Sequence, residues 1–236
     1  MPELGRRSVI LGGCAALLAG ELAGCVSSGP QAPSARGPGF GLDFPAEPSP
    51  AAYRVIYGPV EGEPFPVEPV DASDINPAFL RRVVAYAGGE APGTIVIDPR
   101  NHTLHNVLEG GRAVRYGIGV GREGFGWSGT ATIQEKREWP DWYPPKEMVQ
   151  RQPEIRPELT RLQGGLGMPG GPRNPLGARA LYLWQNNRDT LYRIHGTVEP
   201  QTIGTNVSSG CIRMINQDVI DLYDQVPIGA KVVVLA

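Results

Sequence analysis

Cysteine and histidine are both scarce in this chain, with three of each among 236 residues. Neither sign of charge dominates, because 22 lysines and arginines stand against 24 acidic residues and the formal net charge is −2. A basic surface of the kind that binds nucleic acid is therefore not expected. The apolar run at residues 9–18 is shorter than the roughly 20 residues that a membrane-spanning helix needs, which excludes it as a span.

Glycine and proline are abundant instead, at 32 and 24 residues, and 41% of the chain is hydrophobic. Much of the glycine and proline separates short apolar segments that alternate with polar residues, a pattern typical of strands joined by turns. The chain is long enough to bury one core. We therefore expect a mainly β globule with elaborate loops.

The first residues are typical of an export signal, because Arg6 and Arg7 precede the short apolar run. The run is followed by Leu22-Ala-Gly-Cys25, which resembles the lipobox at which a lipoprotein is lipidated and cleaved. We predict a signal peptide at 1–24 and a lipidated Cys25. The alternative is an ordinary signal with an incidental cysteine. The paired arginines also resemble a twin-arginine export signal.

Residues 25–52 are rich in proline and glycine and are predicted to be a tether to the membrane. The valine at position 26 favours the outer membrane of a Gram-negative cell, and the lipid would be the one membrane contact. We assign 53–92 to an N-terminal extension with a short helix and 93–236 to the catalytic domain. Asn76 and Pro77 followed by apolar residues at helical spacing predict that helix, ending at Gly88.

The strands are predicted where short β-branched or alternating runs occur, and a final helix is predicted after Asn216 as its cap. The predicted strands are 94–98, 103–108, 113–120, 180–184, 191–194 and 231–235. The stretch 127–175 lacks this pattern and is interpreted as a long irregular insertion. Its aromatic residues, Trp127, Trp139, Trp142 and Tyr143, either wall a substrate groove or fill the core beneath the loop.

Cys211 is the one cysteine outside the predicted export region. Taken alone, it could be a buried small hydrophobe or a reactive thiol. Its neighbours favour reactivity, because the segment Ser208-Ser-Gly-Cys211 places a residue without a side chain just before the thiol. Such a glycine allows a substrate carbonyl to approach backbone N–H groups, as in an oxyanion hole.

A thiol nucleophile needs a base, and His195 is the candidate because it ends a predicted strand sixteen residues before Cys211. His102 and His105 could be interpreted as a metal pair, but no further ligand is spaced near them. A turn histidine and a strand-face histidine are the better interpretation. No metal and no organic cofactor is expected, because a thiol, an imidazole and backbone dipoles supply the chemistry.

These residues also carry a resemblance. His195-Gly-Thr197, Ile203-Gly204 and Ser208-x-Gly-Cys-Ile-Arg-Met214, with Asn216 and Asp218, resemble the signature of the L,D-transpeptidase (YkuD) family. The similarity runs from about residue 93 to 235 and includes Asn174-Pro-Leu-Gly177. Many members have histidine at the position of Ser209 and asparagine at that of Arg213, so this chain resembles another branch of the family.

The resemblance implies a mainly β catalytic domain, sandwich-like or barrel-like, with a few short helices and a long loop insertion. It also implies a role for each site residue. Cys211 would be the nucleophile, His195 the base, and the carbonyl of Gly196 the group that orients the imidazole. The N–H groups of Gly210 and Cys211 would form the oxyanion hole.

Substrate contacts are expected from Arg213, Ser208 and Thr197. A guanidinium binds carboxylates in bidentate fashion, although an ion pair that steadies the turn before the last helix explains Arg213 equally well. The Ser208 hydroxyl could equally cap its own turn.

By this resemblance the chain is expected to cross-link peptidoglycan stem peptides in cell wall biogenesis. The cysteine would form a thioester with the stem peptide and pass it to an amine, either of a second stem peptide or of a protein attached to the wall. The alternatives are a carboxypeptidase that uses water at the same site, and a non-catalytic lipoprotein that binds peptidoglycan.

Overall fold

The computed structural model describes residues 47–121, 127–208 and 210–236. The predicted signal peptide, the predicted lipidation site at Cys25 and most of the predicted tether lie outside the described residues. The first described helix, α1 (Pro50–Ile56), begins within the last residues assigned to the tether. Ser49 caps it by accepting a hydrogen bond from the Ala52 amide at 3.2 Å, and proline occupies its first turn.

Short strands make up most of the regular structure. In chain order they are β1 (Arg82–Ala85), β2 (Ile95–Asp98), β3 (Thr103–Leu108), β4 (Arg112–Gly117), β5 (Val120–Gly121), β6 (Gly129–Glu138), β7 (Thr160–Leu162), β8 (Gly165–Gly167), β9 (Arg179–Gln185), β10 (Arg188–His195), β11 (Asn206–Ser208), β12 (Ile212–Arg213) and β13 (Lys231–Val234). The helices α2 (Lys146–Arg151) and α3 (Asn216–Gln225) complete the described part.

Nine of the described strands form one sheet in the order β1-β4-β3-β2-β13-β6-β9-β10-β12. The backbone of Arg213 in β12, at one edge, exchanges two hydrogen bonds of 2.8 and 2.9 Å with Gly119, just after β4. The sheet therefore rolls round until its ends approach. Its inner face and α3 enclose a core of fully buried residues that includes Ile97, Leu183 and Leu222. The prediction of a mainly β, barrel-like fold is confirmed.

The helix predicted to follow Asn76 is wrong beyond its first turn. Asn76 does cap a 3-10 helix, Pro77–Phe79, by accepting a hydrogen bond from the Ala78 amide. The chain then continues as β1, which pairs antiparallel with β4. Val83 and Val84 fit helical spacing, but their β-branched side chains also favour a strand, and pairing with β4 satisfies their backbone groups.

The interpretation of 127–175 as wholly irregular is also wrong, because it contains the longest described strand. β6 lies between β13 and β9 at the centre of the sheet, and Ala131 and Ile133 point into the core. Its second half is strongly charged, which hid the alternation of apolar residues from sequence analysis. The predicted strand 113–120 is likewise interrupted between β4 and β5.

Of the aromatic residues in this region, Trp139 fills a gap rather than lining a groove. It is 9% exposed, packs edge-on against Phe65 and donates its indole N–H to Glu63 at 2.8 Å. Asn174, fully buried, donates to three carbonyl oxygens of the surrounding loop at 3.0 to 3.1 Å. The loop is thereby fixed to the domain.

The segment assigned to the N-terminal extension packs on the catalytic part through buried polar contacts. Gln217 of α3 donates to the carbonyl oxygens of Gly58 and Glu68 at 3.0 and 2.9 Å. Glu63 forms a bidentate ion pair with Arg179 of β9. The segment 53–92 is thus joined to both α3 and β9. No helix in the described ranges is both long and apolar enough to traverse a bilayer.

Candidate functional site

The edge of the sheet formed by β10 and β12 places His195 and Cys211 together. These two strands run parallel, with Ile194 level with Ile212 and His195 level with Arg213. Both isoleucines point into the core, at 0% and 5% exposure. Because side chains alternate along a strand, His195 and Cys211 share the opposite face. Cys211 lies two positions before Arg213, the residue level with His195, so it is the diagonal neighbour of the histidine.

His195 is held in one orientation by its successor in the chain. The ring is 4% exposed, and its Nδ1 lies 2.5 Å from the carbonyl oxygen of Gly196. This contact fixes Nδ1 as the protonated nitrogen and leaves Nε2 as the basic one. Burial, acting against the hydrogen bond to the Gly196 carbonyl and helped by the charges of Arg213 and Arg193, lowers the pKa of His195 to about 4.

Asn216 supports this turn, and it does so in a way that corrects its predicted role. α3 begins at Asn216, with Ile215 in the capping position and no side-chain cap. The Asn216 Oδ1 instead accepts a hydrogen bond from the Ala178 amide at 3.0 Å. A Cβ atom at Gly196 would collide with this oxygen, so glycine is required there. Asparagine thus ties α3 to the turn that orients His195.

Cys211 is half-buried at the start of β12. Burial raises the pKa of the Cys211 thiol, while a backbone hydrogen bond from Arg193 and the charges of Arg193 and Arg213 act in the opposite direction. Gly210 before it has φ of +119°, a conformation that residues with a side chain rarely adopt. A Cβ there would also come within 3.3 Å of the Tyr192 ring. The prediction that this position needs a glycine has a structural basis.

Two of the predicted substrate contacts have partners within the protein. The Nη1 of Arg213 lies 3.0 Å from Glu199 Oε2, while its buried Nε has no hydrogen-bond partner among the described residues. Thr197 is 3% exposed, and its hydroxyl accepts a hydrogen bond from the Glu199 amide. The ion-pair interpretation of Arg213 therefore has a partner in Glu199, while the substrate contact stays a prediction. Ser208 is the last residue of β11, which pairs with β5.

Sequence analysis missed Arg193, a residue of β10 that lies level with Cys211. Its two terminal nitrogens each lie 2.7 Å from one oxygen of Asp189. The signal was present, because a residue two positions before His195 on a strand must share its face. Nothing local indicated that its neighbour across the strands would be the cysteine.

An aromatic pair borders the site. Trp127 stacks on Tyr192 with ring centroids 5.5 Å apart, and both line a small apolar pocket that reaches Gly210. They also line a more open groove that leads to the β9–β10 turn. Of the two interpretations offered for these aromatic residues, Trp127 therefore fits the groove and Trp139 the core.

The two histidines His102 and His105 have separate surroundings. His102, in a turn with φ of +52°, places Nε2 2.8 Å from Asn206 Oδ1, and His105 lies on β3 beside the Tyr86 ring. Across the described ranges no group of three metal-ligating side chains converges. The interpretation as a turn histidine and a strand-face histidine is confirmed.

Fold and site together define a mainly β domain that carries a cysteine and an oriented histidine on one face of its sheet edge. The model of the L,D-transpeptidase catalytic domain family (YkuD) matches residues 92–234. The chain belongs to this family.

Named relatives agree with this assignment. The "Probable L,D-transpeptidase ErfK/SrfK" of Escherichia coli (strain K12) is 36% identical over 124 residues, which covers 50% of this chain and 36% of that protein. The "Probable L,D-transpeptidase YbiS" of the same strain is 34% identical over 119 residues, covering 49% and 35%. The matched part of this chain thus spans about a third of the length of these curated relatives.

Among solved structures, one from Brucella melitensis described as a "Probable carnitine operon oxidoreductase caia" is 53% identical. The match covers 68% of this chain and 96% of that one, with a TM-score of 0.45, and no functional inference follows from it.

Proposed function

We propose that this chain is a peptidoglycan L,D-transpeptidase in which Cys211 is the nucleophile and His195 the general base. The observation that carries the proposal is the parallel register of β10 and β12, which brings both side chains to one face of the sheet. Membership of the family supports the reaction class and the stem peptide as substrate.

The chemistry needs only these groups. His195 Nε2 takes the proton from the thiol as the sulfur attacks the carbonyl carbon of the stem peptide. The N–H groups of Gly210 and Cys211 would stabilise the oxyanion, and one such donor is typically worth about 10² to 10³ in rate. The C–N bond to the terminal residue breaks, and the leaving amine takes the proton from His195. An acceptor amine then attacks the thioester, gives a proton to His195 and releases the thiol.

The pKa directions indicate the resting state of the pair. Burial raises the pKa of the Cys211 thiol and lowers that of His195 to about 4. Near neutral pH a thiol therefore faces a neutral imidazole rather than a thiolate facing an imidazolium. Proton transfer is then coupled to attack on the substrate, which favours a reaction at a bound peptide over random oxidation or alkylation.

Arg213 and the aromatic groove are proposed to bind the stem peptide. The Arg213 guanidinium, which is 18% exposed and lies 3.0 Å from Glu199, is proposed to bind a substrate carboxylate. Trp127 and Tyr192 present apolar faces beside Gly210, where the peptide backbone would lie. Ser208 is retained as a predicted contact. Thr197 is proposed to act through the turn that it stabilises, because its hydroxyl bonds the Glu199 amide.

We further propose that the enzyme is exported to the periplasm and held at the outer membrane through a lipidated Cys25. The support is the sequence pattern of residues 1–25. Either a second stem peptide or a wall-attached protein would supply the acceptor amine.

The test is incubation of the purified full chain with tetrapeptide muropeptides, followed by mass spectrometry. We expect loss of the terminal D-alanine, cross-linked dimers and an acyl adduct of Cys211. Cys211→Ala should abolish all three, because no other described group can form the thioester.

His195→Gln should reduce turnover at least about 100-fold, the usual contribution of a positioned base. His105→Gln is the matched control, because His105 is also a strand histidine but lies on β3. It should keep wild-type turnover. D-alanine release without dimers would identify a carboxypeptidase. Binding of muropeptides with no difference between wild type and Cys211→Ala would identify a non-catalytic binding protein and overturn the proposal.

A further inference from the structure

Arg193 lies on the strand beside Cys211 at the β10–β12 edge of the sheet. It lies on β10 two residues before His195, and the register of β10 with β12 puts it level with Cys211. Ile194 between them is fully buried in the core, so Arg193 and His195 leave the sheet on the same side. Arg193, His195, Cys211 and Arg213 therefore form a two-by-two array on one face.

The Arg193 side chain is fixed in place by three contacts. Its guanidinium forms a bidentate ion pair with Asp189, lies 4.2 Å from the centre of the Tyr182 ring, and donates to the Tyr192 carbonyl at 3.0 Å. Bidentate pairing restricts a guanidinium more than a single bond does. The side chain is also largely buried, at 15% exposure.

A bulge in β10 creates this arrangement. The register with β9 shifts between Asp189 and Arg193, so three residues on β10 lie opposite one on β9. The Asp189 Oδ1 also accepts the Leu191 amide at 2.8 Å, and Leu191 has φ of +64°, a strained conformation for this residue. Bulges beside active sites commonly re-aim a side chain, and the residue re-aimed here is Arg193.

The charged groups that face the sulfur come from both strands. Arg193 and His195 come from β10 and Arg213 from β12, while Asp189 and Glu199 pair with the two arginines. The charges of Arg193 and Arg213 lower the pKa of Cys211 against the effect of burial, and a backbone hydrogen bond from Arg193 does the same. Both charges also disfavour the imidazolium form of His195.

We propose that Arg193, clamped by Asp189 and Tyr182, is a positioning residue for Cys211 whose guanidinium stabilises the thiolate as the proton leaves for His195. This inference rests on the proposed function of Cys211 as nucleophile. It also gives the β10 bulge a role, because the bulge brings Asp189 to the position where it holds the Arg193 guanidinium. The clamp carboxylate keeps the arginine from leaving to bind a substrate anion, which distinguishes its role from that of Arg213.

The test measures the ionisation of the thiol itself, independently of turnover. The full chain is alkylated with iodoacetamide between pH 7 and 11.5, and the rate is followed by mass spectrometry of the peptide that carries Cys211. Arg193→Gln should move the midpoint of the rate profile up by about one pH unit and slow alkylation at pH 7 about tenfold. Arg193→Lys, which keeps the charge, should bring the midpoint back to within about half a unit.

Arg137→Gln is the matched control. Arg137 also lies over the Tyr182 ring, at 5.4 Å, and pairs with Glu135, but it sits on β6, away from Cys211. Its profile should match wild type. Should Arg193→Gln fail to fold, Arg193→Met keeps the aliphatic stem over Tyr182 and carries the same expectation.

A midpoint for Arg193→Gln or Arg193→Met that equals that of Arg137→Gln would overturn the inference. The two proposals fail separately. If the midpoint shifts but the wild type forms no muropeptide product, the role of Arg193 stands and the proposed function does not. If turnover depends on Cys211 but the midpoint does not move, only the role of Arg193 is lost.

Discussion

The sheet edge that carries Cys211 and the polar cluster around Asp218 under α3 both bury ionisable groups, but the buried groups have different partners. At the edge, Cys211 and His195 are neighbours whose pKa values are displaced so that both stay neutral near pH 7. Under α3, Asp218 is fully buried but has Arg81 Nε at 3.5 Å and the Tyr57 hydroxyl at 3.3 Å. At the edge, Cys211 and His195 are a neutral acid and a neutral base. Under α3, the residues Asp218, Arg81 and Tyr57 hold one another in place, and we call them the α3 clamp.

The clamp joins two distant parts of the chain. Arg81 also pairs with Asp221 at 2.7 Å, and its backbone amide donates to the Tyr57 hydroxyl at 2.7 Å. Tyr116 of β4 donates to Asp221 at 2.6 Å. The segment before β1 is thereby tied to α3, the helix that follows Cys211 in the chain. The comparison teaches that desolvation alone does not make a site reactive, because burial displaces the pKa of Asp218 as well as those of Cys211 and His195, yet Asp218 is held in an ion pair with Arg81.

The largest effect is expected when Arg81, the cation of the α3 clamp, is removed. Arg81→Leu leaves Asp218 buried beside Asp221 without a countercharge, so we expect a loss of about 3 kcal/mol in the free energy of unfolding at pH 7. Urea unfolding followed by circular dichroism measures it. Arg161→Leu, at an exposed position of β7, should change stability by less than about 0.5 kcal/mol. A loss below about 1 kcal/mol for Arg81→Leu would contradict the role of the clamp.

The pH dependence of stability sharpens the comparison, because the two regions contribute with opposite sign. His195 has a folded pKa of about 4, below its ordinary value of 6.5. Between these values the unfolded chain binds more protons at this site, so its contribution to stability rises with pH. Burial raises the pKa of Asp218 from 3.8 to about 7. Between these values the folded chain binds more protons, so its contribution falls as pH rises.

The measurement is a set of urea titrations at intervals from pH 4 to 7.5 on wild type, His195→Gln and Asp218→Asn. Relative to wild type, Asp218→Asn should gain about 3 kcal/mol as pH rises from 4 to 7, because the falling contribution is removed. His195→Gln should lose a similar amount between pH 4 and 6.5. Parallel curves for all three proteins would show that neither group titrates abnormally in the fold.

The smallest expected effect concerns the Tyr57 hydroxyl, which contacts both Asp218 and the Arg81 amide in the α3 clamp. Tyr57→Phe removes the acceptor for the buried Arg81 amide and the donor to Asp218, so we expect a loss of about 1 to 2 kcal/mol. Thermal and urea unfolding measure it, with the more exposed Tyr143→Phe as control. Unchanged alkylation of Cys211 in both variants would show that clamp and catalytic edge act independently. Equal stability of the two variants would argue against the hydroxyl as a link.

Sequence analysis located the elements whose signal is local. β3 was predicted with its observed bounds, and β2, β9, β13 and α3 were predicted within a few residues, because alternation or helical spacing there is clear. β1 and β6 were missed for a physical reason. The apolar residues of β1 fit both periods, and β6 carries charges on its exposed positions, so only pairing with neighbouring strands decides their conformation.

The site divides in the same way. His195, Gly210 and Cys211 could be selected from their residue types and their resemblance to a family signature. Arg193 could not, because its proximity to Cys211 follows from the register of two strands and from a bulge held by Asp189. Asn216 was expected to cap a helix, yet its side chain bonds the Ala178 amide across the fold. These contacts join residues that are 4 to 38 positions apart.

By itself the sequence determined the family, the mainly β class and the pair of residues proposed for the chemistry, since these follow from residue identity and short-range pattern. The tertiary structure alone decided which side chains face that pair, how far burial displaces their pKa values, and what holds the N-terminal segment to α3. The physical reason is that register, burial and countercharge are properties of packed neighbours. Neighbours in space are set by the whole fold rather than by any local stretch of the chain.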